Sequence, residues 1–206
     1  MIPHRKLFST RAICAVAGIT LTVAAYAGDA RGNFAIKGVG VNSCARFAAA
    51  YERSDESMIT FAGWLEGYLT VQNEHVPETF DLAPWQDIQV LTFALARYCK
   101  GAPEQSFHAA VRKLTELLRT QRLKVSSEMV VARSGGKGVL IYQSVLDDLR
   151  ASLRAQGLLT SNPTGKFDEA TASAIRAFQS RHQLTPTGIP DSATLIALTA
   201  KRVRQR

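Results

Sequence analysis

The sequence has few residues of the kinds that build redox and metal sites. It holds three cysteines and four histidines, and it contains neither a C-x-x-C nor an H-E-x-x-H motif. Its glycines near residue 136 do not follow the G-x-x-x-x-G-K-[ST] spacing of a phosphate-binding loop, because Val139 follows Gly138. A dithiol redox centre, a zinc site of this type and a nucleotide-binding loop are therefore disfavoured, and no metal or cofactor is expected.

The sequence also lacks an apolar run long enough to cross a membrane. The longest candidate, residues 12–25, has 14 mostly apolar residues, whereas a spanning helix needs roughly 20. Basic residues precede this run and Ala25-Tyr26-Ala27 follows it, which is the pattern of a secretory signal peptide; the alternative is an uncleaved membrane anchor. We expect residues 1–27 to be removed, and the mature protein to lie in the periplasm or cell envelope with no stable membrane span.

Only two cysteines remain once the predicted signal peptide is removed with Cys14. An even pair in an oxidising compartment most simply forms one disulfide, here between Cys44 and Cys99. In the chain-entropy description such a bridge would stabilise the fold by about 4 kcal/mol.

Charge is distributed unevenly between the two halves of the chain. Residues 28–128 hold 11 basic and 12 acidic side chains, whereas residues 129–206 hold 11 basic and 5 acidic ones. This asymmetry indicates two units with different partners. For an exported protein, the basic half suits an anionic envelope polymer or a membrane surface better than nucleic acid.

Helical periodicity dominates the sequence on both sides of a glycine-rich segment. Ser43, Asp55 and Ser106 are candidate caps in the first half, and a further helix is predicted from Trp85 to Cys99. Residues 126–139 show no helical or strand period and are typical of a linker. The predicted fold is all-α, with a disulfide-linked helical domain over 28–125, a linker over 126–139 and a small helical bundle with a basic tail over 140–206.

One short sequence occurs twice in the second half. Residues 164–175, TGKFDEATASAI, and residues 187–198, TGIPDSATLIAL, are identical at six of twelve positions. In each copy a Thr-Gly turn precedes an aspartate that can cap a helix, Asp168 or Asp191, and the glycine permits the tight turn. The repeat is therefore predicted to be a turn-and-cap unit used twice.

Three spaced patterns extend this repeat over residues 140–202. They are LxxxLxxxGLL from Leu149, GxFxxxTxxAIxxFQ from Gly165 and LxxxGxxxxxTxxxL from Leu184. Together they resemble the small three-helix peptidoglycan-binding domain that is attached to many bacterial cell-wall enzymes. The resemblance implies a three-helix bundle that binds peptidoglycan in a shallow groove.

The first half resembles, through a shorter motif, the HdeA-type periplasmic acid-stress chaperone family. The matching residues are Ser43-Cys44-x2-Phe47 and Tyr98-Cys99, with Phe107 eight positions further on. That family is helical, with one disulfide joining these two places. The resemblance implies the same fold and, as an alternative function, chaperone activity under acid stress.

No catalytic set emerges from the acids and histidines of the mature sequence. His75 beside Glu74 is predicted to lie in a loop, His108 on a helix surface and His182 near a helix end. Asp147 and Asp148 are adjacent on a helix and therefore point apart. We expect no enzymatic activity.

Ligand contacts are sought on the helices of the bundle. Arg176 and Gln179 lie three residues apart on one helix, and Arg150 lies on the preceding helix; arginine suits the carboxylates of stem peptides. The alternative is that these are solvated helix residues. The sequence thus predicts an exported, non-catalytic envelope protein that binds peptidoglycan and other envelope proteins; an acid-stress chaperone or an accessory protein of a cell-wall hydrolase are the alternatives.

Overall fold

The computed structural model describes residues 28–161 and 165–204 of the chain. The chain divides into two units, Met1–Ala35 and Ile36–Arg206. The described part of the first unit is a turn in which the Asp29 carboxylate accepts hydrogen bonds from the backbone N–H groups of Arg31 and Asn33, at 2.9 and 2.8 Å. The predicted signal peptide, residues 1–27, lies outside the described residues.

The second unit consists of four helices, a β-hairpin and three further helices. After a 3-10 turn at Gly38–Val41, its elements are α1 (Cys44–Arg53), α2 (Ser57–His75), α3 (Ile88–Gly101), α4 (Phe107–Leu118), β1 (Met129–Ser134), β2 (Lys137–Tyr142), α5 (Gln143–Ala155), α6 (Glu169–Arg181) and α7 (Ser192–Arg204). The fold is largely helical, as predicted, but the expectation of an all-α protein is wrong because of the hairpin.

Most helix starts follow the predicted cap residues, but α2 does not, because its cap is Glu56 and Asp55 accepts instead from the N–H of Ser57 at 2.9 Å. The side chains of Ser43, Ser106 and Asp168 each accept a hydrogen bond from the backbone N–H three residues later. Asp191 does the same for the N–H of Thr194 at 2.9 Å. Each side chain satisfies a donor that has no partner within the helix. The predicted start of α3 at Trp85 is three residues early, because Asp87 is the cap, accepting from the N–H of Val90 at 2.8 Å.

A disulfide and a cluster of aromatic rings hold the first four helices together. Cys44 and Cys99 are bonded as predicted, joining the start of α1 to the end of α3. The rings of Phe47, Phe61 and Phe107 belong to the same core as this bond, with centroids 4.6 to 5.1 Å apart. All five side chains are buried, so α1, α2, α3 and α4 share one core.

The segment predicted as a linker forms the hairpin instead. Ser134 pairs with Lys137, so Gly135 and Gly136 are the two residues of the turn, with φ of 55° and 76°. Two consecutive residues with positive φ are the requirement of the turn that joins twisted antiparallel strands. The strands carry the apolar runs Val130-Val131 and Val139-Leu140-Ile141, so polarity does not alternate and strand periodicity is hidden.

The hairpin contributes to a second core with α5, α6 and α7. Val130, Ala132 and Ile141 face this core, which is completed by buried side chains of the three helices. Trp85, from the loop before α3, and Leu123, from the segment after α4, pack against the same core. The first helices and the bundle therefore contact each other through these two loops.

His108 is buried, contrary to its predicted position on the surface. It is 8% exposed, and its ring lies 6.2 Å from that of Trp64 and 5.7 Å from that of Tyr68, centroid to centroid. The helix face of α4 that was expected to be solvated at this position is covered by α2.

Candidate functional site

The bundle formed by α5, α6 and α7 depends on two buried polar side chains, and the first is Arg150. This side chain is 1% exposed. Its guanidinium donates to the carbonyl oxygens of Gly165 and Lys166, both at 2.8 Å, and to Thr171 Oγ1 at 3.1 Å. It also contacts the Asp147 carboxylate at 3.2 Å. Arg150 therefore holds the turn before α6 against α5 through hydrogen bonds, and we call a buried polar side chain with this role a fastener.

Gln179 has the corresponding role at the second turn. Its side chain is fully buried, and its Oε1 accepts from the N–H of Gly188 at 2.9 Å. Its Nε2 lies within hydrogen-bond distance of Thr194 Oγ1 at 2.9 Å and of the carbonyl oxygen of Ile189 at 3.2 Å. Gln179 therefore fastens the turn before α7 to α6.

The two copies of the repeat are thus built in the same way. In each, a long polar side chain from the preceding helix reaches the turn glycine and the threonine of the cap. The pairs Gly165 and Gly188, with φ of 75° and 72°, and Thr171 and Thr194 occupy equivalent places. The residues that the two copies share therefore form a turn, cap a helix and bond a buried polar side chain.

Asp168 illustrates the electrostatics of such a turn. Burial opposes ionisation of its carboxyl, but hydrogen bonds from Thr171 and the charge of Arg150 outweigh burial, so its pKa is lowered. Asp168 therefore carries its negative charge at the N-terminus of α6, where the helix dipole favours it.

Arg176 is the only one of the three predicted ligand residues with a partly solvent-exposed side chain in the described structure. Its side chain is 35% exposed and pairs with Glu169 on the same helix. One Nη donates to Ser134 Oγ at 2.8 Å, which ties α6 to the hairpin. The structure thus places Arg150 and Gln179 inside the bundle, bonded to its turns, and gives Arg176 two protein partners.

A groove of about 260 Å³ opens beside the bundle. One wall consists of Val145, Asp148 and Leu149 of α5 together with residues of α7; the other consists of Trp85 and the segment 120–123. The groove is formed jointly by the first helices and the bundle. Its lining offers a ligand both apolar and polar contacts.

The residues with acid–base chemistry lie in separate elements. His75 ends α2 and lies 3.7 Å from Glu74, His108 is buried on α4, and the ring of His182 stacks on that of Phe178 at 4.2 Å. Across residues 28–161 and 165–204, no three His, Cys, Asp or Glu side chains are grouped so that they would ligate a metal. Over the same residues, no helix has the length and apolar character needed to span a bilayer.

Comparison with protein families assigns part of this region. Residues 144–198 match the family model of a putative peptidoglycan binding domain. The matched segment begins on α5 and ends on α7, so it contains both turn-and-cap units and both buried fasteners. Comparisons with curated proteins and with solved structures gave no match.

The sequence indicated the bundle but not the groove beside it. The spacing of glycines, threonines and aspartates was sufficient to predict the repeat, whereas Trp85 was assigned to a helix of the first domain. Its position in a loop against the second core depends on tertiary packing. The one sequence signal for that position is Asp87, a stronger cap residue than Trp85.

Proposed function

We propose that this protein is an exported, non-catalytic component of the cell envelope that binds peptidoglycan through α5, α6 and α7. The observation that supports this most directly is the family match over residues 144–198. The intact turns and fasteners of that segment agree with it. The disulfide-linked helices before the hairpin would then serve as an interaction domain for other envelope proteins.

Export is supported by two features. The first is the signal-like sequence of residues 1–27. The second is the Cys44–Cys99 bond, since disulfides persist mainly in oxidising compartments. An envelope location is also what a peptidoglycan ligand requires.

The absence of catalysis is proposed from the roles of the acidic side chains. Asp168 and Asp191 cap helices, and Asp147 pairs with Arg150. Carboxylates with such structural partners are poor candidates for the acid and base of a glycosidase, which must face each other across a cleft.

Cosedimentation with purified insoluble peptidoglycan tests the binding. Residues 28–206, produced in an oxidising compartment, should pellet with the polymer at physiological salt. A variant with Arg154→Gln and Arg181→Gln, both exposed, is the control for charge and should still pellet. Recovery of the wild-type chain in the supernatant, or loss of binding in the control variant, contradicts recognition by the folded bundle.

Acid-stress chaperone activity is a second candidate, favoured by ion pairs that join elements of the first helices. Glu52 contacts Lys100 at 2.8 Å, linking α1 to α3, and Glu78 contacts Lys124 at 3.1 Å. In both glutamates the hydrogen bond from the lysine is the main cause of a lowered pKa. Acid would release these contacts.

A light-scattering assay tests this second candidate. Scattering of an aggregating client near pH 3 should fall when the full chain is added; unchanged scattering contradicts this function.

A further inference from the structure

The groove beside the bundle has walls of two different origins. The wall from α5 and α7 belongs to the segment that matches the peptidoglycan-binding family, whereas the opposite wall, with Trp85 and Leu123, belongs to loops of the first helices. A hydrogen bond from Ser192 Oγ to Asp87 Oδ2, at 2.7 Å, joins the start of α7 to the cap of α3, two residues after Trp85. This bond therefore holds the two walls together.

The lining combines an apolar floor with a rim of hydroxyl and amide groups. The floor residues Val145, Leu149, Leu195 and Leu198 are buried. The rim includes Thr120, Gln121, Ser152 and Thr199. A sugar ring presents the matching chemistry, since its C–H faces are apolar and its edges carry hydroxyl groups. The half-buried indole of Trp85 offers a flat apolar surface with an N–H at its edge.

The charges of the lining disfavour a ligand that carries several carboxylates. Of the described residues that line the groove, Arg122 alone is cationic. Its guanidinium already donates to the carbonyl oxygens of Glu78 and Arg119, at 3.1 and 2.6 Å, and it lies 3.9 Å from the Glu78 carboxylate. A peptidoglycan stem peptide, with its carboxylates, is therefore a poorer match than an uncharged N-acylated sugar.

We propose that this groove binds one N-acylated amino-sugar unit of the glycan strand, with the sugar ring against Trp85 and its acyl group toward the apolar floor. This inference rests on the proposed peptidoglycan binding and specifies which part of the polymer is recognised. It also makes the first helices part of the binding site, because they supply Trp85. The volume of about 260 Å³ is close to the lower end of small-molecule sites, about 300 Å³, and suits a single ring.

Two soluble probes distinguish the glycan from the peptide. Titration calorimetry of residues 28–206 should show binding of a tetramer of N-acetylglucosamine and no binding of a glycan-free stem tetrapeptide. In a Trp64→Phe background the remaining indole, Trp85, should change its fluorescence on addition of the tetramer. Binding of the tetrapeptide without the tetramer overturns the proposal.

A matched pair of variants on α5 tests the location. Ser152 lines the groove, whereas its neighbour Ala151 is exposed and outside the lining. Ser152→Trp should fill the groove, exclude the sugar ring and weaken tetramer binding about tenfold or more, a cost of about 1.4 kcal/mol; Ala151→Trp should leave binding within about twofold of wild type. Thermal unfolding of both variants confirms that the fold is retained.

Cosedimentation separates failure of this inference from failure of the proposed function. If wild-type protein and both variants pellet equally with insoluble peptidoglycan, the polymer is bound elsewhere and the groove assignment is wrong. If the wild-type chain does not pellet, peptidoglycan binding itself is wrong. If Ser152→Trp fails to pellet while the wild-type chain and Ala151→Trp still pellet, peptidoglycan binding and its assignment to the groove are both supported.

Discussion

At the scale of single residues, the bundle depends on polar side chains placed where apolar ones are usual. Arg150 and Gln179 lie among buried apolar residues, and each bonds backbone groups of a turn. Without Gln179, the N–H of Gly188 and the carbonyl oxygen of Ile189, both in buried residues, would lose this partner. Such groups cost about 1–3 kcal/mol each when their partner is lost. Helical periodicity predicted that both residues lie on the bundle, but it did not show that they lie inside it.

Replacing Gln179 by methionine tests this fastening role. Methionine has a similar volume but cannot bond the Gly188 N–H or the Ile189 carbonyl oxygen, so the free energy of unfolding should fall by about 2–4 kcal/mol. Urea denaturation monitored by circular dichroism gives this value. The half-exposed Arg176, changed to glutamine, is the comparison and should cost less than about 1 kcal/mol. Equal losses in the two variants contradict a special role for Gln179.

A second residue-scale prediction concerns His108. Burial lowers the pKa of its imidazole, and the charge of Arg112 lowers it further. The unfolded chain, with a pKa near the ordinary 6.5, therefore binds a proton more readily than the folded chain. Stability should be complete above about pH 6.5 and should decrease as the pH falls below it.

The measurement is the melting temperature at about pH 7.5 and about pH 5.5. Wild-type protein should lose stability between these values, and His108→Gln, which cannot take up the proton, should lose less. His75→Gln at the exposed end of α2 serves as the control and should behave like wild type. If His108→Gln retains the full pH dependence, protonation of this residue is not its cause.

At the scale of elements, the sequence predicted correctly those helices and bonds that a few residues determine by themselves. Helix caps such as Ser43 and Ser106 act within four residues, so their side chains could be recognised in the sequence. The disulfide followed from there being only two cysteines in the predicted mature chain. The hairpin was missed because β1 and β2 are apolar on both faces, with Val131 and Leu140 exposed on the outer one, so the alternation typical of strands is absent.

The turn of the hairpin offers an element-scale prediction. Gly135 has φ of 55° and open space at the position of a Cβ, so only the backbone limits substitution. Gly135→Val should destabilise the protein by about 1–2 kcal/mol, because β-branched residues rarely adopt positive φ. Gly135→Asn should be nearly neutral, since asparagine tolerates this conformation. Comparable unfolding free energies for the two variants would show that the turn geometry is not decisive.

At the scale of the whole molecule, the groove depends on contacts that no local pattern specifies. Trp85 and Leu123 reach the second core only because the loops that carry them are paired, with Leu123 and Asp81 exchanging backbone hydrogen bonds at 2.8 and 3.2 Å. The first of these paired loops also contacts the hairpin, because the ring centroid of Phe80 lies 6.0 Å from that of Tyr142. Residues of one groove wall are thus fixed by partners about 40 positions away, which explains why the sequence did not reveal this wall.

Acid should weaken the pairing of these two loops, because it protonates Glu78. The hydrogen bond from Lys124 is the largest cause of its lowered pKa, followed by the charges of Lys124 and Arg122. Because the folded pKa lies below the ordinary 4.5, the stabilising contribution of this carboxylate is complete above that value and is lost as the pH falls through the folded pKa. The ion pair is exposed, so the effect on global stability is small, but it acts on the segment that carries Leu123.

Hydrogen exchange measures this local effect without any ligand. The protection factor of the Leu123 amide, which donates to the Asp81 carbonyl oxygen at 2.8 Å, should fall in Glu78→Gln at neutral pH. In wild-type protein it should fall on acidification, and in Glu78→Gln it should change less. Glu104→Gln, on the exposed loop before α4, should behave like wild type. Unchanged protection in Glu78→Gln would mean that the paired loops, rather than the carboxylate, hold this wall of the groove in place.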